Sequence, residues 1–342
     1  MNIQYQFTHS LVTYHFGGRL HHIEKLTKGR HTVVLTDKNI AKQYKHTIEK
    51  YPTIIIGAGE KYKQPETINN IIQRLIKLGA DRSSLLIGLG GGVVTDMTGY
   101  AAAIYMRGID VGLIPSSLLA MTDAAIGGKN GVDIGIYKNM VGTIKQPLFL
   151  FYATELLNTL PEKEWRNGFA EMIKHAAIDD KNMFASIEKK NLNDYMHDEQ
   201  LIASIIKKNV LLKTKFVQED EFEKGNRKLL NFGHTLGHAV ENLYHLSHGE
   251  AISIGMHYAA SISDKIYGTN STERLDQLLV QYGLPIQLQF DAQKVCTLML
   301  ADKKRKGNTL QYILLEAIGK GAIHSIPVGD IKKLIVEIQK RK

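Results

Sequence analysis

The chain has 342 residues, of which 44% are hydrophobic and 23% charged, with 30 glycines, seven prolines and one cysteine. This is the make-up of an ordinary globular protein; it excludes large-scale disorder, and the length predicts two domains. Cys296 alone excludes an intrachain disulfide framework and is expected as a small buried hydrophobe. The first twenty residues lack the apolar core of a secretory leader, and no stretch of about twenty apolar residues offers a membrane span, so a cytoplasmic protein with no membrane partner is expected. The net charge of +9 is spread along the chain, with dense clusters at Lys303-Lys304-Arg305-Lys306 and Lys340-Arg341-Lys342. No aromatic-interleaved motif accompanies them, which argues against a nucleic-acid partner; a diffuse positive field favours small anions instead.

In chain order, Thr32–Thr36, Thr53–Ile56 and Leu85–Leu89 are short runs of branched residues, each closed by a turn signal, as buried parallel strands are. Between the second and third, Ile68, Ile71, Ile72, Leu75 and Leu78 recur with helical period before Gly79. Strand, helix, strand predicts an α/β layer with a parallel sheet over residues 1–150. Three strand ends carry polar or glycine-rich groups. Asp37 closes the first strand, where a carboxylate can either accept from a ribose or cap the following helix. Gly57–Lys63, with Glu60 and Lys63, closes the second. Gly88-Leu89-Gly90-Gly91-Gly92 closes the third ahead of a helix expected near Val93, where free N–H groups and the positive helix end can hold a diphosphate. Val93 stands where the last glycine of the G-x-G-x-x-G fingerprint would be.

The joint is expected near residues 145–160, around Pro147, and residues 151–342 are expected to be mostly α-helical, because apolar positions recur every three or four residues through Ile202, Ile205, Ile206, Val210 and Leu211. Strand-like character returns at Gln311–Leu315. Within this half, Asn231-Phe232-Gly233-His234-Thr235-Leu236-Gly237-His238 and His248-Gly249-Glu250 gather three imidazoles. His234 and His238 share one helix face, and His248 can return from the next segment. Imidazoles suit zinc or a similar divalent ion, and spacing alone leaves His234 and His238 equal candidates.

Several separated motifs make the chain similar to the 3-dehydroquinate synthase family of sugar-phosphate cyclases. They are Arg107-Gly108-Ile109, Pro115-Ser116-Ser117-Leu118-Leu119-Ala120, Asp123 through Lys129, Lys138-Asn139, Gly168-Phe169-Ala170-Glu171-Met172-Ile173-Lys174, Asn231-Phe232-Gly233-His234 and His248-Gly249-Glu250. The resemblance runs from about residue 30 to 315. It implies a lyase of aromatic amino-acid biosynthesis that converts 3-deoxy-D-arabino-heptulosonate 7-phosphate to 3-dehydroquinate and phosphate by transient oxidation with NAD, phosphate elimination, re-reduction and aldol closure.

By motif match the resemblance implies one divalent ion, zinc or cobalt, on Glu171, His234 and His248, with His238 as a nearby polar residue. NAD contacts would come from Asp37, Glu60, Lys63, Gly90, Gly91, Gly92, Asp96, Ser116, Ser117, Asp123, Lys138 and Thr159. The phosphorylated carboxylate substrate would meet Arg107, Asp123, Lys129, Asn139, Lys174, Lys213, Arg227, Asn231 and His238, and catalysis would rest on Lys129, Asn139, Lys174, Arg227, Asn231 and His238. A homodimer is implied as well. The sequence departs from the family's habit at Ser116-Ser117, where two threonines are common, and at Thr95, Asn130 and His175. Another cyclase, such as an inosose or valiolone synthase, and a metal-dependent glycerol or alcohol dehydrogenase are the competing enzyme classes.

Overall fold

The structure is a computed structural model that describes residues 1–135, 137–301, 305–306 and 309–340; Lys303, Lys304, Arg341 and Lys342 lie outside them. The chain divides into two compact units, one of Met1–Pro161 with Glu199–Phe222, the other of Glu162–Asp198 with Glu223–Lys342.

Among its described residues the first unit has nine strands: β1 (Asn2–Gln6), β2 (Leu11–Phe16), β3 (Thr32–Asp37), β4 (Thr53–Ile56), β5 (Leu85–Gly90), β6 (Asp110–Pro115), β7 (Lys129–Ile134), β8 (Tyr137–Ile144) and β9 (Phe149–Tyr152). Seven form one sheet in the order β1-β2-β9-β6-β5-β3-β4. All its pairings are parallel except β1 with β2. The branched runs at β3 and β5 are buried on both faces, which is what a parallel sheet covered by helices demands. The Pro65–Lys77 helix joins β4 to β5: proline opens it, Ile68, Ile71 and Leu75 face inward, and Gly79 ends it with φ +68°.

β3 lies between β4 and β5, so the chain steps outward from β3 to β4 and then returns to the other side of β3. The strand ends there, at Asp37 and Gly90, flank a topological switch point, where open α/β sheets place their ligands. β7 and β8 form a separate antiparallel hairpin. Asn130 anchors it: its amide nitrogen donates to the carbonyls of Gly128 (2.7 Å) and Lys145 (3.0 Å), and its side chain fills the space that the missing Cβ of Gly99 leaves.

Two features lie outside the sequence-based expectations. Residues expected at the joint include β9, a fully buried strand between β2 and β6; a four-residue apolar run is too short to show a period. The Glu199–Glu219 helix clusters with the first unit although its sequence neighbours belong to the second. Its anchors are polar: buried Asn209 donates to the Thr122 carbonyl at 2.7 Å, and Lys213 Nζ reaches Asp123 Oδ1 at 2.7 Å.

The second unit is mainly helical. The Glu162–Asp179, His234–Tyr244, His248–Tyr267 and Ser271–Gln281 helices accompany a small antiparallel sheet of β10 (Arg305–Lys306), β11 (Thr309–Ala317) and β12 (Lys320–Pro327). β11 contains the expected Gln311–Leu315 strand. β12 is largely exposed and so carries little hydrophobic alternation. Cys296 is buried, as expected. Among the described residues, no helix is long and apolar enough to cross a membrane. The α/β class with a mostly helical second part therefore stands.

Candidate active site

Glycines let two helices of the second unit approach closely. A Cβ on Gly255 would sit 1.9 Å from the Gly233 carbonyl oxygen, and one on Gly237 would sit 3.1 Å from the Ala251 oxygen. Gly233 opens the His234–Tyr244 helix in the left-handed region, at φ +78°, a conformation cheap only for glycine. The next helix starts at His248 because Ser247 and Glu250 form a capping box: Glu250 Oε2 accepts from Ser247 N (2.8 Å) and Oγ (2.6 Å). Gly249 N–H donates to Asn167 Oδ1 at 2.9 Å, tying that helix start to the Glu162–Asp179 helix.

This packing brings Glu171, His234 and His248 together, with one ligand atom from each lying within 4.8 Å of the others. Glu171 is completely buried; its Oε1 lies 3.0 Å from His248 Nε2 and 3.6 Å from His234 Nε2. Its other oxygen accepts from Lys174 Nζ, itself buried. His175 packs behind, with Nε2 4.0 Å from Glu171 Oε2. His238 adjoins the trio, its ring centroid 5.1 Å from that of His234 and 6.4 Å from that of His248.

Without an ion, the two imidazoles are held in different protonation states, and that of His234 suits a divalent ion. Burial, then the neighbouring Lys174 ammonium, holds His234 well below the usual imidazole value, so the ring is neutral. Its Nδ1 lies 3.1 Å from the Phe232 carbonyl, which can only accept, so the proton sits on Nδ1 and the lone pair on Nε2, toward Glu171. Burial opposes charge on His248 too, but Glu171 and Glu241 outweigh it and push that imidazole up to about 10. A carboxylate and two imidazole nitrogens converging in a buried place are the donor set of a catalytic zinc-type site. Sequence reasoning missed Glu241, which lies seven positions after His234 and has Oε2 3.6 Å from His248 Nδ1; the helical face shared by 234, 238 and 241 was the available signal.

In the first unit the glycine run ends β5 and opens the Gly92–Ile104 helix, whose first turn has neither a capping side chain nor an acidic residue. Its leading N–H groups are thus left for an anion. A Cβ on Gly91 would lie 3.4 Å from Ser117 Oγ, so the turn faces Ser116-Ser117 at the end of β6. Asp37 caps the helix that follows it, accepting from Asn39 N (2.8 Å) and Ile40 N (3.2 Å). Lys63, Asp96 and Asn139 form one network: Lys63 Nζ donates to Asp96 Oδ2 and Asn139 Oδ1, both at 2.6 Å. Burial works against the Lys63 charge, yet Asp96 and then Glu60 hold it above the ordinary lysine value. Lys138 lies 3.8 Å from Glu60, and Thr159 donates to Gln43 at 2.8 Å. Thr95 Oγ1 turns back onto the Gly92 carbonyl at 2.9 Å, a purely local bond.

The remaining expected substrate residues fall into three groups. Asp123 and Lys213 pair in the first unit, while Lys129 is exposed at the start of β7. In the second unit Lys174 and Arg227 are buried, unlike surface cations, and Asn231 Nδ2 donates to Glu223 Oε1 at 2.7 Å. Arg107 stands apart: it is exposed, with φ +68°, just ahead of β6 and so at the opposite strand end from Gly90.

Fold and site together define an enzyme with the sugar-phosphate cyclase fold. A crystal structure of 2-deoxy-scyllo-inosose synthase with carbaglucose-6-phosphate, NAD+ and Co2+ matches with a TM-score of 0.87 at 26% identity, covering 98% of this chain and 100% of that one. The 2-epi-5-epi-valiolone synthase of Streptomyces hygroscopicus, with NAD+ and Zn2+ bound, shares the fold, with a TM-score of 0.87 at 23% identity and 99% of each chain covered. The chain belongs to the 3-dehydroquinate synthase family. The family's N-terminal model matches residues 53–167 and its C-terminal model residues 168–305. The 3-dehydroquinate synthase of Pyrococcus abyssi is 40% identical, with 84% of this chain and 85% of that protein covered. That of Leptospira interrogans is 35% identical, with 94% and 91% covered.

Proposed function

We propose that this protein converts 3-deoxy-D-arabino-heptulosonate 7-phosphate to 3-dehydroquinate and phosphate, as a homodimer, with NAD and one zinc or cobalt ion. The observation that carries the reading is the buried Glu171 carboxylate against His234 Nε2 and His248 Nε2, in a chain related to 3-dehydroquinate synthases over most of its length. Glu171, His234 and His248 would hold the ion, and the turn at Gly90–Gly92, with Asp37, Ser116 and Ser117 at neighbouring strand ends, would hold the dinucleotide. When bound, the dinucleotide supplies reversible two-electron oxidation and the ion supplies Lewis-acid polarisation of substrate oxygens.

The chain's own groups do the rest. His234 keeps its proton on Nδ1, against the Phe232 carbonyl, and leaves Nε2 free. Lys174 balances Glu171 in a buried place where a lone carboxylate would be costly. We assign the substrate's carboxylate and phosphate to the buried cations Lys174, Lys213 and Arg227 and the exposed Lys129, with Asn139, Asn231 and His238 as hydrogen-bonding partners.

The test is phosphate release from the heptulosonate phosphate by purified protein with substoichiometric NAD. Sustained release, abolished by a chelator and with no net reduced nicotinamide, is expected. Stoichiometric accumulation of NADH would instead mark a dehydrogenase, and no release from this substrate would sink the assignment.

Gly91 offers a separate check of the nucleotide site. Its φ of −72° suits any residue, and a Cβ there meets its nearest neighbour at 3.4 Å, so Gly91→Ala should fold normally. The added methyl would occupy the approach to the helix N-terminus. NAD affinity measured by calorimetry is expected to fall by about tenfold or more, roughly the 1.4 kcal/mol of a weakened anion contact, with the melting temperature unchanged.

A further inference from the structure

We propose that Glu241 is a positioning residue for the metal centre, fixing the tautomer and orientation of His248; the inference rests on the metal-site reading above. The His248 ring is suspended between two carboxylates on different helices: Nε2 lies 3.0 Å from Glu171 Oε1, and Nδ1 lies 3.6 Å from Glu241 Oε2. An imidazole that gives its Nε2 lone pair to an ion must carry its proton on Nδ1, and that proton needs an acceptor. Glu241 is the acceptor in place, a few tenths of an ångström beyond hydrogen-bond length.

The two imidazoles are held by different means. His234 Nδ1 rests on the Phe232 carbonyl, a neutral backbone group two residues earlier. His248 opens its helix and faces a charged side chain from the neighbouring helix. Glu241 is 7% exposed, and a carboxylate so enclosed is costly unless it faces a partner. It sits on the same helix as His234, so that helix supplies one ligand directly and holds another through Glu241. A carboxylate behind an imidazole also raises its basicity as a ligand, strengthening the hold on the ion.

Metal-stripped wild type, Glu241→Gln, Glu241→Ala and Glu171→Gln are titrated with Co2+, read by its visible absorption and by competition with a chromophoric chelator, alongside thermal melts of the metal-free proteins. The expected result is Co2+ affinity about 10- to 100-fold weaker in both Glu241 variants, an altered Co2+ spectrum, and a metal-free melting temperature close to wild type in Glu241→Gln. Wild-type affinity and spectrum in both variants, or weakened binding with an unchanged spectrum and an equally lowered metal-free melt, would overturn the assignment. If wild type and Glu171→Gln behave as a metal site requires and the Glu241 variants match wild type, this inference alone fails. If wild type takes up no ion, the metal-site reading falls and Glu241 loses its role with it.

Discussion

Glu171→Gln is expected to lower turnover by at least about a hundredfold and divalent-ion affinity by a comparable factor. The change keeps the side chain's shape and removes its charge, so Lys174 Nζ loses its buried counter-ion and the trio loses its anionic ligand. Breaking a buried ion pair from one side costs about 3–5 kcal/mol, equivalent to a factor of roughly a hundred to several thousand in a binding constant. Metal content by atomic absorption and kcat, both measured below the thermal transition, check this; normal values for both would reject Glu171 as a ligand. The pH dependence provides a second reading. In the metal-free protein His248 is raised above its unfolded value to about 10, so its contribution to stability is complete below about pH 6.5 and is lost as pH rises toward 10. In Glu171→Gln that contribution should shrink without vanishing, since Glu241 remains on the other side of the ring.

Gly255→Ala is expected to damage the fold and the site together. The new methyl would meet the Gly233 carbonyl oxygen at 1.9 Å, the Gly233 carbonyl carbon at 2.8 Å and Gly237 N at 2.9 Å. These are backbone atoms, which cannot rotate aside, so the helices carrying His234 and His248 must separate. Overpacking of this kind costs about 1–3 kcal/mol, and displacement of metal ligands adds a binding loss. Gly329→Ala is the control, because a Cβ there meets nothing within 4 Å in the Val328–Gln339 helix. The control should melt at or slightly above the wild-type temperature, since alanine is the better helix former. A Gly255→Ala protein that melts with wild type and binds metal as tightly would show that the close approach at Gly233 does not position the imidazoles.

Where a segment carried its own periodicity, its structure was legible in the residues. β3, β4 and β5 lie within a residue of the expected strands, and the Pro65–Lys77 helix and its Gly79 stop follow from local chemistry. Short or mixed segments were not legible: β9 has four residues and β12 is mostly exposed. Asp37 shows the limit of local reasoning differently. Both of its candidate roles were readable, and the structure displays the cap. The capping box of Ser247 and Glu250, by contrast, was present as a plain S-x-x-E pattern and explains why the motif places His248 at a helix start.

Unaided, the residues determined the α/β layer, the glycine turn after its third buried strand, the helical second half and, through the order of rare motifs, the family. Tertiary structure decided how the groups that the motifs named come together: spacing left His238 the equal of His234, whereas His248 arrives from another helix to lie against Glu171. It also drew the Glu199–Glu219 helix into the first unit and set Glu241 behind His248. The reason is range. Periodicity, caps and turns act within a few residues, whereas Glu171 and His248 lie 77 positions apart in the chain, and it is the packing of their two helices, close at Asn167 and Gly249, that brings such groups to one point.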